Sequence, residues 1–234
     1  GLNRYDGYQV APFAGEYMLD QRQITTMHKT DDGNIFVSTE FSGAFLIDPK
    51  TLKVEKIYSG KLDPEDVFFS PILAITEDDH FFYFAIAQHV YSYNKQSKKF
   101  LHEFSINKEE HIVRALTLHD NFLYIGTSNG LFSKNLADDH ISHIPLTDKA
   151  QITEDNKNVK FLRIDAQLGL FVGTVEGMFD IPFNANRLLA FDKVRLLIPN
   201  LNIWDYSVSS FGEYIVTEKA YMSLIVKPCR LSSS

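Results

Sequence analysis

Two stretches decide how this chain is read: Leu123-Tyr124-Ile125-Gly126-Thr127-Ser128-Asn129-Gly130-Leu131-Phe132 and Leu170-Phe171-Val172-Gly173-Thr174-Val175-Glu176-Gly177-Met178-Phe179. Both run from apolar residues into Gly-Thr, pass two further residues, and reach a glycine that opens a second apolar run. Weaker copies occur at Ile35-Phe36-Val37-Ser38-Thr39 with Gly43-Ala44-Phe45, at Phe82 to Tyr91, and at Tyr214-Ile215-Val216-Thr217. The equivalent positions Thr39, Ile86, Thr127, Thr174 and Thr217 are 47, 41, 47 and 43 residues apart. A period of about 44 residues marks a repeated supersecondary unit, and it changes the meaning of every local motif match. Gly1-Leu2 matches Gly130-Leu131, so the chain is expected to open inside a sixth, incomplete copy.

Alternation and turn residues divide each unit into strands. The first strand reads Ile24 to Met27, Ile72 to Ile75, Val113 to Leu116, Val159 to Leu162 and Ile203 to Tyr206. Polar turns follow, such as Thr30-Asp31-Asp32-Gly33 and Glu77-Asp78-Asp79-His80, where Asp and Gly supply side-chain caps and positive φ. The Thr-ending strand comes second, then a third such as Gly43 to Asp48, then a fourth such as Lys53 to Tyr58. Helical periodicity is poor, and even the best stretch, Arg187 to Ile198, contains Phe191 to Leu196, which reads equally well as an outer strand. The expectation is an all-β fold, a β-propeller of four-stranded antiparallel blades, with about five complete blades plus a partial one. One propeller would cover 1–234, with a partial blade at 1–20 and blades near 21–60, 61–108, 109–147, 148–198 and 199–231.

Composition narrows the function classes. The chain has 234 residues, 44% of them hydrophobic, with 30 acidic against 23 basic side chains and a net charge of −7. With no long basic run it carries no electrostatic footprint for nucleic acid or an anionic membrane surface. Its single cysteine, Cys229, cannot form an internal disulfide or a thiolate metal site alone. The longest apolar stretches, such as Phe81 to Ala87, are too short for a membrane-spanning helix. Contact with a membrane would therefore come only through segments outside this chain. The aromatic content of 13% favours strands.

The Gly-Thr mark resembles the two-component regulator propeller repeat. Gly1-Leu2-Asn3-Arg4-Tyr5-Asp6-Gly7 is similar to the end of the first blade in the extracytoplasmic sensor region of bacterial hybrid two-component receptors and propeller-linked diguanylate cyclases. The resemblance covers essentially the whole chain. It implies a seven-bladed sensor propeller, part of an inner-membrane receptor, facing the periplasm and followed in the parent protein by further modules and an output domain. This sequence departs from the pattern at Phe82 to Tyr91 and Tyr214 to Met222, which lack the Gly-Thr and the family's common Trp. The count of five units and a remainder is short of seven, so the chain is expected to be a fragment of a longer receptor.

Local motifs are weighed against that repeat. Gly126-Thr127-Ser128-Asn129-Gly130 spells a nucleophile elbow, which needs a strand, a sharp turn and a helix. Here a strand follows, and other units put Glu40, Ala87, Val175 or Glu218 at the place of Ser128, so the match is repeat punctuation. Asp31-Asp32, Asp78-Asp79 and Asp138-Asp139 lack calcium-loop spacing, and the first two read as turn formers. His140 and His143 are three apart on a turn entering a strand, where they face opposite sides and do not share a metal. Lys95, Lys98 and Lys99 read as a solvated blade rim. No catalytic residue, metal site or cofactor is expected.

Blade geometry gives the functional candidates. The loop leading into each first strand and the turn leaving each second strand lie at one end of a propeller, around its channel. Arg22, Glu40, Phe41, Gln88, Arg114, Asn129, Glu176, Trp204, Asp205 and Glu218 fall there, with His89, Ser128 and Lys219 beside them. Planar donors, carboxylates and an aromatic face suit a polyhydroxylated or carboxylate-bearing small molecule or oligosaccharide. The expected function is ligand sensing without catalysis, in a receptor that is a homodimer, with no nucleic-acid partner. The alternatives are a structural dimerisation propeller without a ligand, and a propeller lyase or lactonase using a channel metal.

Overall fold

A computed structural model describes residues 1–61, 69–106, 111–138, 140–146, 158–209, 212–217 and 221–222. Apart from two single 3-10 turns, Leu19–Gln21 and Phe191–Lys193, all regular structure in the described residues is β. The strands group in chain order into antiparallel sheets. β1 (Asn3–Tyr5) and β2 (Val10–Pro12) form a two-stranded sheet. Four sheets of four strands follow: β3 (Ile24–Lys29), β4 (Ile35–Thr39), β5 (Gly43–Ile47) and β6 (Val54–Tyr58); β7 (Ala74–Glu77), β8 (Phe81–Ile86), β9 (His89–Asn94) and β10 (Lys99–Ser105); β11 (Val113–His119), β12 (Phe122–Thr127), β13 (Gly130–Asn135) and β14 (Ile141–Ile144); and β15 (Val159–Asp165), β16 (Gly169–Thr174), β17 (Gly177–Pro182) and β18 (Arg195–Pro199). β19 (Ile203–Ser209), β20 (Gly212–Thr217) and β21 (Tyr221–Met222) make three strands of a fifth blade among the described residues. The architecture is the all-β, propeller-type blade array that the repeat predicts. The chain divides into two compact units, Gly1–Leu118 and His119–Ser234, with the boundary before the last residue of β11.

In the first unit β4 is buried on both faces, with Phe36, Val37, Ser38 and Thr39 all shielded from solvent. Successive side chains on a strand point to opposite faces. Val37 therefore joins Leu2, Leu19 and Phe45 on one side. Phe36 joins Ile72, Ile75 and Phe84 of the following blade on the other. The Phe36 and Phe84 rings stack with centroids 5.2 Å apart, and Phe100 stacks on Phe84 at 5.5 Å. Each such buried ring contributes roughly 1.5–3 kcal/mol relative to leaving it exposed.

The second unit repeats the arrangement. β16 is buried along its whole length. Leu170 and Val172 pack with Tyr124, Leu131 and Val159 on one side. Phe171 packs with Phe161, Ile203 and Tyr206 on the other, its ring 5.2 Å from that of Tyr206.

The Gly-Thr mark answers two separate requirements. The threonine hydroxyl closes the turn after the second strand: Oγ1 of Thr39, Thr127 and Thr174 donates to the carbonyl of Gly43, Gly130 and Gly177 at 2.9, 2.9 and 3.0 Å. The same oxygens accept the backbone N–H of Ser42, Asn129 and Gly177 at 3.0, 3.0 and 3.1 Å. The glycine is a packing demand, because a Cβ on Gly173 would stand 2.1 Å from the ring of Phe161. In the second blade Ala85-Ile86 replace Gly-Thr, and Ala87 at φ 52° makes the turn without a hydroxyl.

Two sequence expectations shift in detail. The first strand of the second blade begins at Ala74 rather than Ile72, although Leu73 just ahead of it already donates its N–H to Ala85 O at 2.9 Å. The stretch from Arg187 to Ile198 resolves into the 3-10 turn Phe191–Lys193 and strand β18, which pairs with β17. Asp180 on β17 accepts two bonds from Arg195 Nε at 3.0 and 3.1 Å, so this outer strand is pinned by a charge-assisted clamp.

The acidic turn residues act as caps. Asp32 accepts from Thr30 Oγ1 and from the Asn34 side chain at 2.9 Å, and Asp48 accepts from Thr51 Oγ1 at 2.7 Å and Lys50 N–H at 2.8 Å. Those hydrogen bonds hold both carboxyls below the ordinary value of 3.8. A depressed folded pKa gives stability that is fully present above the unfolded value and lost as pH falls through the folded one. Stability against denaturant is therefore expected to fall as pH drops below about 3.8, and an Asp32→Asn, Asp48→Asn variant, which keeps the turn acceptors, is expected to show a shallower loss. In the second unit, Gly173→Ala is expected to cost about 1–3 kcal/mol by overpacking, measured by urea unfolding, and most of that cost should vanish in a Phe161→Ala background.

Candidate functional site

Within each unit the turns after second strands and the loops leading into first strands are tied by backbone hydrogen bonds. In the first unit Glu40 N–H donates to Gln23 O at 3.0 Å, and Val113 N–H donates to Ala87 O at 2.8 Å. In the second unit Val175 N–H donates to Asn158 O at 3.3 Å, and Asn200 N–H donates to Glu176 O at 2.6 Å. The segments expected to surround a ligand are thus neighbours at one end of their blades.

In the first unit, Arg22 is exposed at the close of the turn Leu19–Gln21, its N–H on Leu19 O at 3.3 Å. Glu40 is half-buried, and the Phe41 ring, 60% exposed, meets Phe69 edge-on at 6.2 Å. Gln88 is half-buried and its carbonyl accepts from Ile106 at 3.0 Å. His89 Nδ1 lies 2.8 Å from Ser105 Oγ. Arg114 is the second residue of β11, and its Nε is buried with no hydrogen-bond partner among the described residues. An unpaired buried donor costs about 1–3 kcal/mol and is a standing demand for an acceptor.

In the second unit, Asn129 and Glu176 are half-buried in their turns. Asp205 is exposed and turns back to accept from the N–H of Tyr206 at 2.8 Å. Trp204 is 53% exposed, with Lys160 Nζ 5.2 Å from its ring centroid. Both belong to a recurring irregularity. The ladder between first and second strands shifts at Ile24/Thr26, Val159/Phe161 and Ile203/Asp205, so Thr25, Lys160 and Trp204 are bulge residues at the second position of their strands. A bulge re-aims the side chain it carries. Thr25 uses the position to donate to Ile72 O of the next blade at 3.0 Å, whereas Lys160 meets the next blade's Trp204. Lys160 escaped the sequence reading, although its place in the repeat, equivalent to Trp204, carried the signal. Glu218 and Lys219 lie outside the described residues, as does Cys229.

A buried ionic cluster in the first unit was also missed. Glu77 at the end of β7 has a side chain only 4% exposed, yet binds Lys95 Nζ at 2.5 Å and His28 Nε2 at 2.9 Å. It also accepts the backbone N–H of Asp31 at 3.0 Å. Lys95 is therefore not a solvated rim residue: its Nζ also donates to Asp78 O at 2.6 Å and sits 4.6 Å from the Phe82 ring centroid. Three oppositely charged or polar groups on two blades share one desolvated carboxylate, which makes this a latch between blades.

The remaining motifs keep structural roles. Ser128 lies in a two-residue turn between β12 and β13, with a strand rather than a helix after it, so the nucleophile-elbow geometry is missing. Asp78 caps its turn through the N–H groups of His80 and Phe81 at 2.8 and 2.7 Å, and Asp138 accepts from the N–H of His140 at 2.9 Å; Asp139 lies outside the described residues. His143 packs edge-on against Phe132 at 5.2 Å. Among the described residues no three His, Cys, Asp or Glu side chains are placed to share a metal ion. Among the same residues no helix is long and apolar enough to cross a membrane.

The class defined by these observations is a propeller-type blade array, and solved structures share it. The extracellular domain of one hybrid two-component system of B. thetaiotaomicron matches over 93% of this chain and 30% of its own, at 18% identity and a TM-score of 0.67. That of a second such system matches over 84% of this chain and 25% of its own, at 15% identity and 0.59. The Swd1 β-propeller domain of Myceliophthora thermophila matches over 84% and 63%, at 14% identity and 0.61. At these identities the likeness establishes the fold, and the chain spans less than a third of the two extracellular domains. No protein-family profile matches the sequence, and no curated protein does.

Removing the acceptor of the inter-blade latch should be felt at once. Glu77→Ala is expected to destabilise the protein by about 3 kcal/mol, because it strands Lys95 and the Asp31 N–H without their buried partner; urea unfolding monitored by far-UV circular dichroism checks it.

Proposed function

We propose that the chain is the extracytoplasmic, ligand-sensing propeller of a bacterial membrane signalling receptor, without catalytic activity of its own. The observation that carries this reading is the Lys160–Trp204 pair, a half-exposed indole face beside a cation, presented from bulges at the ends where turns and loops gather. An aromatic face stacks on a sugar ring, and a cation pairs with a carboxylate. In the first unit, separately, the buried Nε of Arg114 has no hydrogen-bond partner among the described residues and presents a demand for an acceptor of its own. The match in fold to extracellular domains of two hybrid two-component systems supports the same reading. The ligand class is a polyhydroxylated or carboxylate-bearing small molecule or oligosaccharide, and the receptor works as a periplasm-facing homodimer. Signalling requires the ligand to favour one receptor arrangement over another, since equal affinity for both shifts nothing.

Trp204 is the only tryptophan, so its fluorescence reports this site alone. In a panel of neutral and acidic oligosaccharides and small carboxylic acids, at least one compound is expected to raise the melting temperature and change the Trp204 emission together. Saturation at about 100 times Kd corresponds to roughly 2.7 kcal/mol of added stability. Lys160→Ala should weaken that response while keeping the parent's far-UV circular dichroism. No response to any compound, with concentration-dependent dimerisation intact, would replace sensing by a purely structural role.

A further inference from the structure

The outer half of the second blade holds a histidine pair, His102 and the His89 that borders the candidate turns, which the Lys160–Trp204 site of the second unit does not use. Across the β9–β10 ladder, Ser105 stands opposite His89 and His102 opposite Tyr91, with the register shifted between His102 and Phe104. In a regular strand, residues three apart face opposite sides. The extra residue, Glu103, removes that rule here and puts His102 and Ser105 on the face already occupied by His89 and Tyr91. As a result His89 Nδ1 lies 2.8 Å and His102 Nε2 lies 3.2 Å from one oxygen, Ser105 Oγ. The imidazole centroids are 5.4 Å apart at 66°, and Tyr91 packs edge-on against His102 at 5.1 Å, which fixes that ring.

We propose that His89 and His102 form a binding site for a divalent transition-metal ion of the Zn²⁺ or Cu²⁺ type. Both imidazole nitrogens point at one position, that of Ser105 Oγ, and a change of the Ser105 χ1 rotamer carries the oxygen away and leaves that position to an ion. Such an ion sits about 2.0–2.1 Å from each nitrogen. Neutral imidazole is the preferred ligand of these metals, and Cu²⁺ binds most tightly in a site of this kind. Water fills the remaining positions, reached from solvent past the exposed His102. The ion would clamp β10 to β9 across the bulge.

Calorimetric titration of the full chain with Zn²⁺, and electron paramagnetic resonance with Cu²⁺, test this. One saturable equivalent is expected, with nitrogen hyperfine structure on the copper signal and a higher melting temperature in Zn²⁺. His89→Ala and His102→Ala should each weaken binding by about tenfold or more, Ser105→Ala should bind as well as the parent or better, and His140→Ala should change nothing. His102 is exposed, so its variant is expected to keep the parent circular dichroism, and its loss of binding then reports the missing ligand rather than a misfolded blade. Binding undiminished in His102→Ala, or no saturable equivalent in the parent, would overturn the proposal.

Discussion

The structure rests on a strand that is buried on both of its faces. β4 and β16 have no solvent side, so alternate residues must each find a partner blade: Val37 and Val172 look to the preceding one, Phe36 and Phe171 to the following one. A lone four-stranded sheet could not shield such a strand. This is why the chain repeats, and why the apolar run before the Thr mark is the strongest feature of each unit. The glycine in that run follows from the same demand, because the ring of Phe161 occupies the space a side chain at 173 would need.

Given that packing, the irregular positions gain their meaning. The first strand starts beside a neighbour already committed to the core, and its second residue is squeezed out as a bulge at Thr25, Lys160 and Trp204. Repeating the irregularity in these three blades offers each of them one variable side chain at a fixed place, filled by a hydroxyl bonded to the next blade, by a cation and by an indole. The opposite end of the first strand is used differently. There His28 reaches Glu77 of the next blade, and in the second unit Arg163, at the same repeat position, donates to Tyr206 O of its next blade at 3.1 Å. One repeat position thus carries inter-blade polar links with different chemistry in each unit.

Much of the fold was legible because it depends on short-range rules. The threonine hydroxyl and the turn glycine act over three or four residues, and Asp32, Asp48 and Asp78 cap turns within a few residues of themselves. The propeller-type blades follow from the period and the alternation. The candidate site was legible only as a set of places. Trp204 could be picked out as the single indole on an inner strand, but Lys160 gained interest only when the bulge brought it to that ring. Lys95 was misread because its sequence neighbourhood, with Lys98 and Lys99, looks like a solvated turn, whereas its partner Glu77 is eighteen residues away on another strand.

By itself, the sequence determined the unit length, the strand order within a unit, the turn chemistry and the need for each blade to pack against its neighbours. These are local or periodic properties, and they survive small errors in register. Only the tertiary structure decided which polar side chains meet. A bulge of one residue reverses the face of everything beyond it, so whether His102 and Ser105 share a side, or Trp204 and Lys160 touch, is fixed by ladder shifts that no spacing rule contains. The burial of Glu77 likewise depends on how two blades face each other, and the same four letters around it would read as an exposed turn in isolation.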